Sequence, residues 1–156
     1  MKKLVIGAVL GLSSLAANAA DYVIDTNGAH ASVNFKIQHL GYSWLTGRFN
    51  DFSGNFSYDP AKPEASSITV TIDTNSIDSN HAERDKHLRG GDFLSVKKYP
   101  EAKFVSTKVE DLGGNKLKVY GDFTLHGKTN AIVIDAQKIG EGADPWGGYR
   151  AGFAGT

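Results

Sequence analysis

Cysteine is absent from this chain. That removes a disulfide framework, a thiol nucleophile and an acceptor for lipid acylation together. An excess of one charge is lacking too, since 17 Lys and Arg stand against 17 Asp and Glu. Such a balance gives no general attraction to nucleic acid or to anionic surfaces. Beyond the first twenty residues no run approaches the ~18 apolar residues of a membrane helix, which argues against stable insertion into a bilayer. There is no Gly-x-Ser-x-Gly elbow and no His-Glu-x-x-His site, so two common routes to hydrolysis are missing. A Gly-Lys-Thr run does occur at Gly127–Thr129. Five residues rather than four separate its glycine from Gly121, and it lies in a hairpin, so it is not a phosphate loop.

The two ends carry their own signals. Lys2 and Lys3 followed by apolar Leu4–Leu12 and the small-x-small run Ala17-Asn18-Ala19 read as a secretory signal over residues 1–19, of a style that suggests a bacterial periplasm. Without Lys2 and Lys3 the basic count falls from 17 to 15 against 17 acids, a net charge of minus two. Residues 20–156 then form one domain of ordinary size. Tyr149–Thr156 alternates like a strand that has just begun, and a C-terminal piece is expected to be missing.

What remains is dominated by a period of two. Ala31, Val33, Phe35, Ile37 and His39 face one way while Ser32, Asn34, Lys36 and Gln38 face the other, the pattern of a strand with one buried side. The beat returns in Ile68, Val70 and Ile72, and in Leu117, Val119, Gly121, Phe123 and Leu125. From Trp44 to Tyr58 the parity slips, with Leu45, Gly47 and Phe49 on one side but Phe52, Gly54, Phe56 and Tyr58 on the other. A one-residue bulge at Asn50-Asp51 would return all of them inward. About seven strands are expected in all, forming an antiparallel sheet that curls round an apolar interior.

One segment breaks the beat. Asn80 with Glu83 three residues later fits a capping box, His81–Arg89 holds good helix formers, and Gly90-Gly91 supplies a stop. The helix is too polar for a core element and is expected across the barrel mouth, with Phe93, Leu94 and Val96 pushed against the rim. Asp85 and Arg89 have the spacing of an ion pair. His81, Asp85 and His87 could each ligate a metal, but His87 lies about 240° round the helix from His81, so they do not converge and no metal site is expected. Arg84 or Asp85 could instead turn inward, latch the helix to the barrel and touch a ligand head group.

Several runs occur together and in order: Val33–Gly41, Arg84–Leu88, Asp92–Pro100, Gly121–Gly127 and Asp144-Pro145-Trp146-Gly147-Gly148. They resemble the YceI family of bacterial lipid-binding proteins, and the resemblance covers nearly all of residues 20–156. It implies a lipocalin-like antiparallel β-barrel of eight strands with a polyisoprenoid, such as a quinone, threaded along the axis. It also implies a periplasmic location and leaves room for a homodimer, although no patch in the sequence demands one. Against that pattern the last strands are lacking here.

The candidate ligand-binding residues follow from parity and resemblance together. Val33, Phe35, Ile37, Phe49 and Phe52 form one part of the inward row, and Phe56, Val70, Ile72 and Phe104 the other. Near the ends stand His39 beside Trp44, the latch residues Arg84 and Asp85, the rim residue Phe93, and Trp146 of the Asp144–Gly148 run. His39 could donate to a head group or serve as a structural histidine bonded to backbone. No catalytic residue is assigned, and no cofactor is expected other than a bound isoprenoid. Two further readings remain open: a periplasmic enzyme acting on a lipid or quinone with His39, Asp85 or His87 as acid or base, and a dry-core envelope stress protein. The exported form should begin at Ala20-Asp21-Tyr22. N-terminal sequencing of protein recovered from a bacterial periplasm should read that start, and retention of Met1 would refute the signal.

Overall fold

The structure is a computed structural model, and it describes residues 19–156. The signal segment expected at 1–19 therefore lies, but for Ala19, outside the described residues. The fold class is the one the alternation predicts, mostly strand with one short helix. Ten strands occur among the described residues: β1 (Ala20–Val23), β2 (Val33–His39), β3 (Ser43–Phe49), β4 (Phe52–Tyr58), β5 (Ser67–Asp73), β6 (Ile77–Asp78), β7 (Glu101–Gly113), β8 (Lys116–Leu125), β9 (Lys128–Ala143) and β10 (Tyr149–Gly155). The helix α1 spans Ala82–Leu88. Seven strands pair antiparallel in the order β1-β4-β5-β7-β8-β9-β10, and β2-β3-β6 form a second sheet.

The expected single strand from Trp44 to Tyr58 is a correction. Its two halves belong to different sheets, and Asn50-Asp51 is the step between them. The Asn50 backbone N–H donates to the Ser76 carbonyl at 3.1 Å, and the Asp73 N–H donates to the Asp51 carbonyl at 2.9 Å. The Asn50 N–H and the Asp51 carbonyl are thereby satisfied as the chain leaves one ladder and enters the other. The parity slip marks this corner, not a bulge within one ladder.

The large sheet curls into a nearly closed barrel. Its hairpins are short, with Gly113 and Gly114 at φ +75 and +60 between β7 and β8. Phe104, Val109, Leu117 and Val119 form the buried centre, and Ile68, Val70, Phe123, Ile132, Ile134 and Phe153 pack around it. β1 and β10 are the two edges. The seam between them is bridged by Arg150, whose guanidinium contacts the Asp25 carboxylate just after β1 while its Nε donates to Asp144 at 2.8 Å. Asp25 also meets His30 at 2.9 Å and accepts from the Gly28 N–H at 3.0 Å.

Helix α1 is held by side chains, not by an apolar face. The expected cap is corrected: Asn80 sits at φ +61 outside the helix, and His81 Nδ1 accepts the Arg84 N–H at 3.2 Å. Ser79 is the hub of the latch. Its hydroxyl and backbone N–H donate to Asp85, while the Arg84 guanidinium donates to the Ser79 hydroxyl and carbonyl. The expected Asp85–Arg89 ion pair does not form. Arg89 donates instead to the carbonyls of Asn75 and Ile77, each at 2.7 Å, because these caps tie the helix to β6 and its approach.

Acid should loosen the seam. The bond from Arg150, helped by His30, holds Asp25 well below the usual carboxylate range. The Gly148 N–H and then Arg150 lower Asp144. A carboxylate with a depressed folded value stabilises the fold above its unfolded pKa, ~3.9, and loses that contribution as pH falls through the folded value. Arg150→Gln should therefore speed hydrogen exchange of β1 and β10 amides at pH 7, with variant and parent converging as pH falls below ~4. Equal exchange at neutral pH would show that the clamp carries no weight.

Candidate functional site

The candidate site is the inner wall of the barrel and the hairpin β2–β3 that extends it. Along the large sheet the register sets Phe56 beside Ile68, Phe52 beside Ile72, and Val70 beside Phe104. Phe104 faces Phe123 across the next ladder. In the smaller sheet Val33 pairs with Phe49 and Phe35 with Gly47. The Phe35 and Phe49 rings are 5.9 Å apart.

Two glycines set how far these rings project. A Cβ on Gly47 would strike the Phe35 ring, and a Cβ on Gly121 would lie 2.5 Å from both Phe104 Cζ and the Val105 carbonyl oxygen. Each ring therefore lies down over a glycine instead of standing into the interior, an arrangement that also shields the bare backbone. The wall is left half-covered: Val33, Phe35, Phe49, Phe52, Phe56 and Val70 all retain partial solvent access.

One end of the interior is filled. Tyr22 stacks on Phe56 with centroids 4.7 Å apart and planes 7° from parallel. Phe153 meets Phe56 edge-on at 5.7 Å and Tyr58 at 5.1 Å, closing the same end. Rings from β1, β4 and β10 thus meet where the two edges of the sheet approach, and Tyr22 and Phe56 are partners on neighbouring strands. Two hollows of about 350 and 210 Å³ open beside this plug, and Tyr58 and Pro60 border both. None of the residues predicted to line the ligand site borders either one.

The structure divides the predicted residues into groups. Val33, Phe35, Phe49, Phe52, Phe56 and Val70 share the half-covered wall. Ile72 and Phe104 are 7% and 4% exposed and serve as core beneath it. Ile37 and His39 depart from the inward placement that parity predicts, whereas Trp44, of opposite parity to Leu45, Gly47 and Phe49, shares the outer face with Gln38 and Lys36: Ile37 is 56% and Trp44 59% exposed, and His39 ends β2 in solvent. Strand parity fixes a side, but it does not say whether another sheet covers that side. Phe93 is not pressed on a barrel rim, since its exposed ring packs edge-on against His87 at 4.9 Å. Trp146 stands in solvent with the Arg150 guanidinium 5.9 Å from its ring. Arg84 and Asp85 are engaged by Ser79 and form the latch between the helix and the segment before it.

Sequence reasoning missed a polar cluster at the plugged end. Lys138 follows Ile132, Ile134 and Ala136 at the same parity and so points a cation inward. Its Nζ donates to Glu141 at 3.0 Å and lies 5.2 Å from the Tyr58 ring. The bond to Glu141 raises the Lys138 pKa. Burial, followed by the Glu141 charge, raises the Tyr22 hydroxyl. The parity of Lys138 was the available signal; the register shift in the β9–β10 ladder that turns Glu141 to the same side was not.

Comparison with known proteins agrees over the whole described chain. A family model described as YceI-like domain matches residues 22–156. A UPF0312 protein of Shewanella sp. (strain W3-18-1) is 60% identical over 159 residues, covering 100% of this chain and 83% of its own length. One from Vibrio cholerae is 66% identical over 141 residues, covering 90% and 75% respectively. Among solved structures, the Campylobacter jejuni YCEI protein is 37% identical with a TM-score of 0.68, over 81% of this chain and 74% of that one. Burkholderia cenocepacia BcnA is 32% identical with a TM-score of 0.66, over 70% and 68%.

The seat of Phe104 can be tested directly. Gly121→Ala should destabilise the fold by about 2 kcal/mol in a denaturant titration, because the added methyl meets backbone as well as ring. An unchanged midpoint would mean that the wall yields freely and that the ring is not held down.

Proposed function

The chain belongs to the YceI-like family, and from that premise we propose that it is a non-catalytic periplasmic protein that binds one isoprenoid lipid, a polyprenyl quinone or a relative, along its inner wall. The observation that carries the reading is the half-covered row from Val33 to Val70, lowered by rings lying over Gly47 and Gly121. A polyprenyl tail exposes hundreds of square ångströms of apolar surface. At ~25 cal/mol per Å² it gains greatly from such a wall and is almost never free in water. Aromatic side chains supply contact area at little rotamer cost.

The groups that an enzyme would need are dispersed. His39 stands at the hairpin end, Asp85 is bonded to Ser79, and His87 pairs with Asp92 at 3.4 Å. A hydrogen-bonded acid–base pair requires ~3 Å between its members and a shared substrate position, which supports carriage over conversion. The packed Tyr22–Phe56–Phe153 end supports a second reading, a dry-core envelope protein.

Organic extraction of the purified protein followed by mass spectrometry separates these readings. An intact isoprenoid at about one per chain is the expected result. Phe35→Asp, Phe49→Asp or Phe56→Asp should each abolish lipid recovery while Phe35→Leu keeps it, since burying a charge against hydrocarbon is prohibitive. A converted lipid that disappears in His39→Ala would establish catalysis instead. An empty extract with no uptake of added quinone would leave the dry core standing.

A further inference from the structure

The hairpin β2–β3 carries a second feature that ligand binding does not use. Its turn is Leu40-Gly41-Tyr42, with the Tyr42 N–H donating to the His39 carbonyl at 3.0 Å. Leu40 has φ +52 and Gly41 φ +78, so both central residues are left-handed. Asparagine or glycine suits the first of these positions, whereas a large aliphatic residue is strained there. Leu40 is the one large aliphatic residue at positive φ among the described residues. Its side chain gains no burial in return, for it is 75% exposed, with Tyr42 beside it at 90%. Ile37 and Trp44 flank the pair on the strands, both more than half exposed. Strain retained at an exposed apolar tip points to a contact outside the fold.

The charges indicate the partner. The balance of the whole chain conceals a local segregation: between Asp25 and Asp51 there is no acidic residue, while Lys36, Arg48, His30 and His39 all lie in that interval. Arg48 is held near the hairpin base by Asp78 at 4.0 Å and His30 by Asp25. Towards the tip Lys36 lies 4.3 Å from the Trp44 ring, and among the described residues it forms no ion pair. A convex tip of four apolar side chains is far below the ~800 Å² per partner of a stable protein interface. Its size and composition match shallow insertion at a membrane–water boundary, where Trp and Tyr concentrate and a cation meets anionic head groups.

We propose that the Leu40-Gly41-Tyr42 tip, with Ile37, Trp44 and Lys36, docks the protein on an anionic lipid bilayer. This surface stands apart from whichever ligand the inner wall takes. Leu40 and Tyr42 dip into the interface while Lys36 remains at head-group level, and the barrel stays in water.

Vesicle flotation tests the idea with isoprenoid-free lipids, so that its outcome is independent of the ligand reading. The protein should float with phosphatidylglycerol–phosphatidylethanolamine vesicles and far less with pure phosphatidylcholine. Leu40→Asn should reduce the bound fraction about tenfold, in line with ~1.4 kcal/mol of lost apolar contact. The same change creates the favoured Asn-Gly turn, so its thermal midpoint should hold or rise, which separates lost docking from lost folding. Tyr42→Ser in addition should abolish flotation, and Lys36→Gln should weaken it at low salt. Three results would each overturn the proposal: no flotation of the parent protein with anionic vesicles, equal flotation with phosphatidylcholine, or flotation of Leu40→Asn at the parental level.

Discussion

The corner at Asn50-Asp51 is the constraint on which the architecture turns. A strand alternates strictly between two faces, so Phe49 and Phe52 need a bulge or a change of ladder between them to share an interior, and here the chain changes ladder. Two backbone hydrogen bonds, to Ser76 and from Asp73, satisfy the Asn50 N–H and the Asp51 carbonyl at that change. From this one step follow the separation of β2-β3-β6 from the seven-stranded sheet, and the continuation of the apolar wall from one sheet to the other.

That wall is made by subtraction as much as by addition. Phe35 and Phe104 are large, but each lies over a glycine, and their bulk is taken up along the sheet instead of across it. At the opposite end no such accommodation exists, and Tyr22, Tyr58, Phe56 and Phe153 meet one another. The barrel thus combines a solid end, which supplies cohesion, with a half-covered stretch whose apolar surface is unspent. The polar pair Lys138–Glu141 sits at the solid end, so the interior has distinct polar and apolar poles.

The remaining polar networks work at the margins. Ser79 gathers Asp85 and Arg84, and Arg89 caps the carbonyls beneath, so a helix with little apolar surface is fixed by directional bonds. Arg150 spans the seam to Asp25, where neither edge strand offers the other a ladder. Both devices hold elements in place and lie away from the apolar row from Val33 to Val70.

Alternation made the all-β class, the short helix and the apolar row from Val33 to Phe104 legible, because a period of two and its interruption are local properties of the chain. The runs Val33–Gly41 and Asp144–Gly148 likewise revealed the family. Local pattern did not tell a bulge from a change of sheet at Asn50-Asp51, nor that Asp85 would be claimed by Ser79 before Arg89 could reach it. It assigned Ile37 and His39 to the same side as Phe35 but could not say that they would stand in solvent. Parity and turn chemistry belong to neighbours in sequence, whereas cover, ring contact and ion pairing depend on which distant strands arrive opposite. Only the tertiary structure decides that, because registers and sheet edges are fixed by hydrogen bonds between segments far apart in the chain.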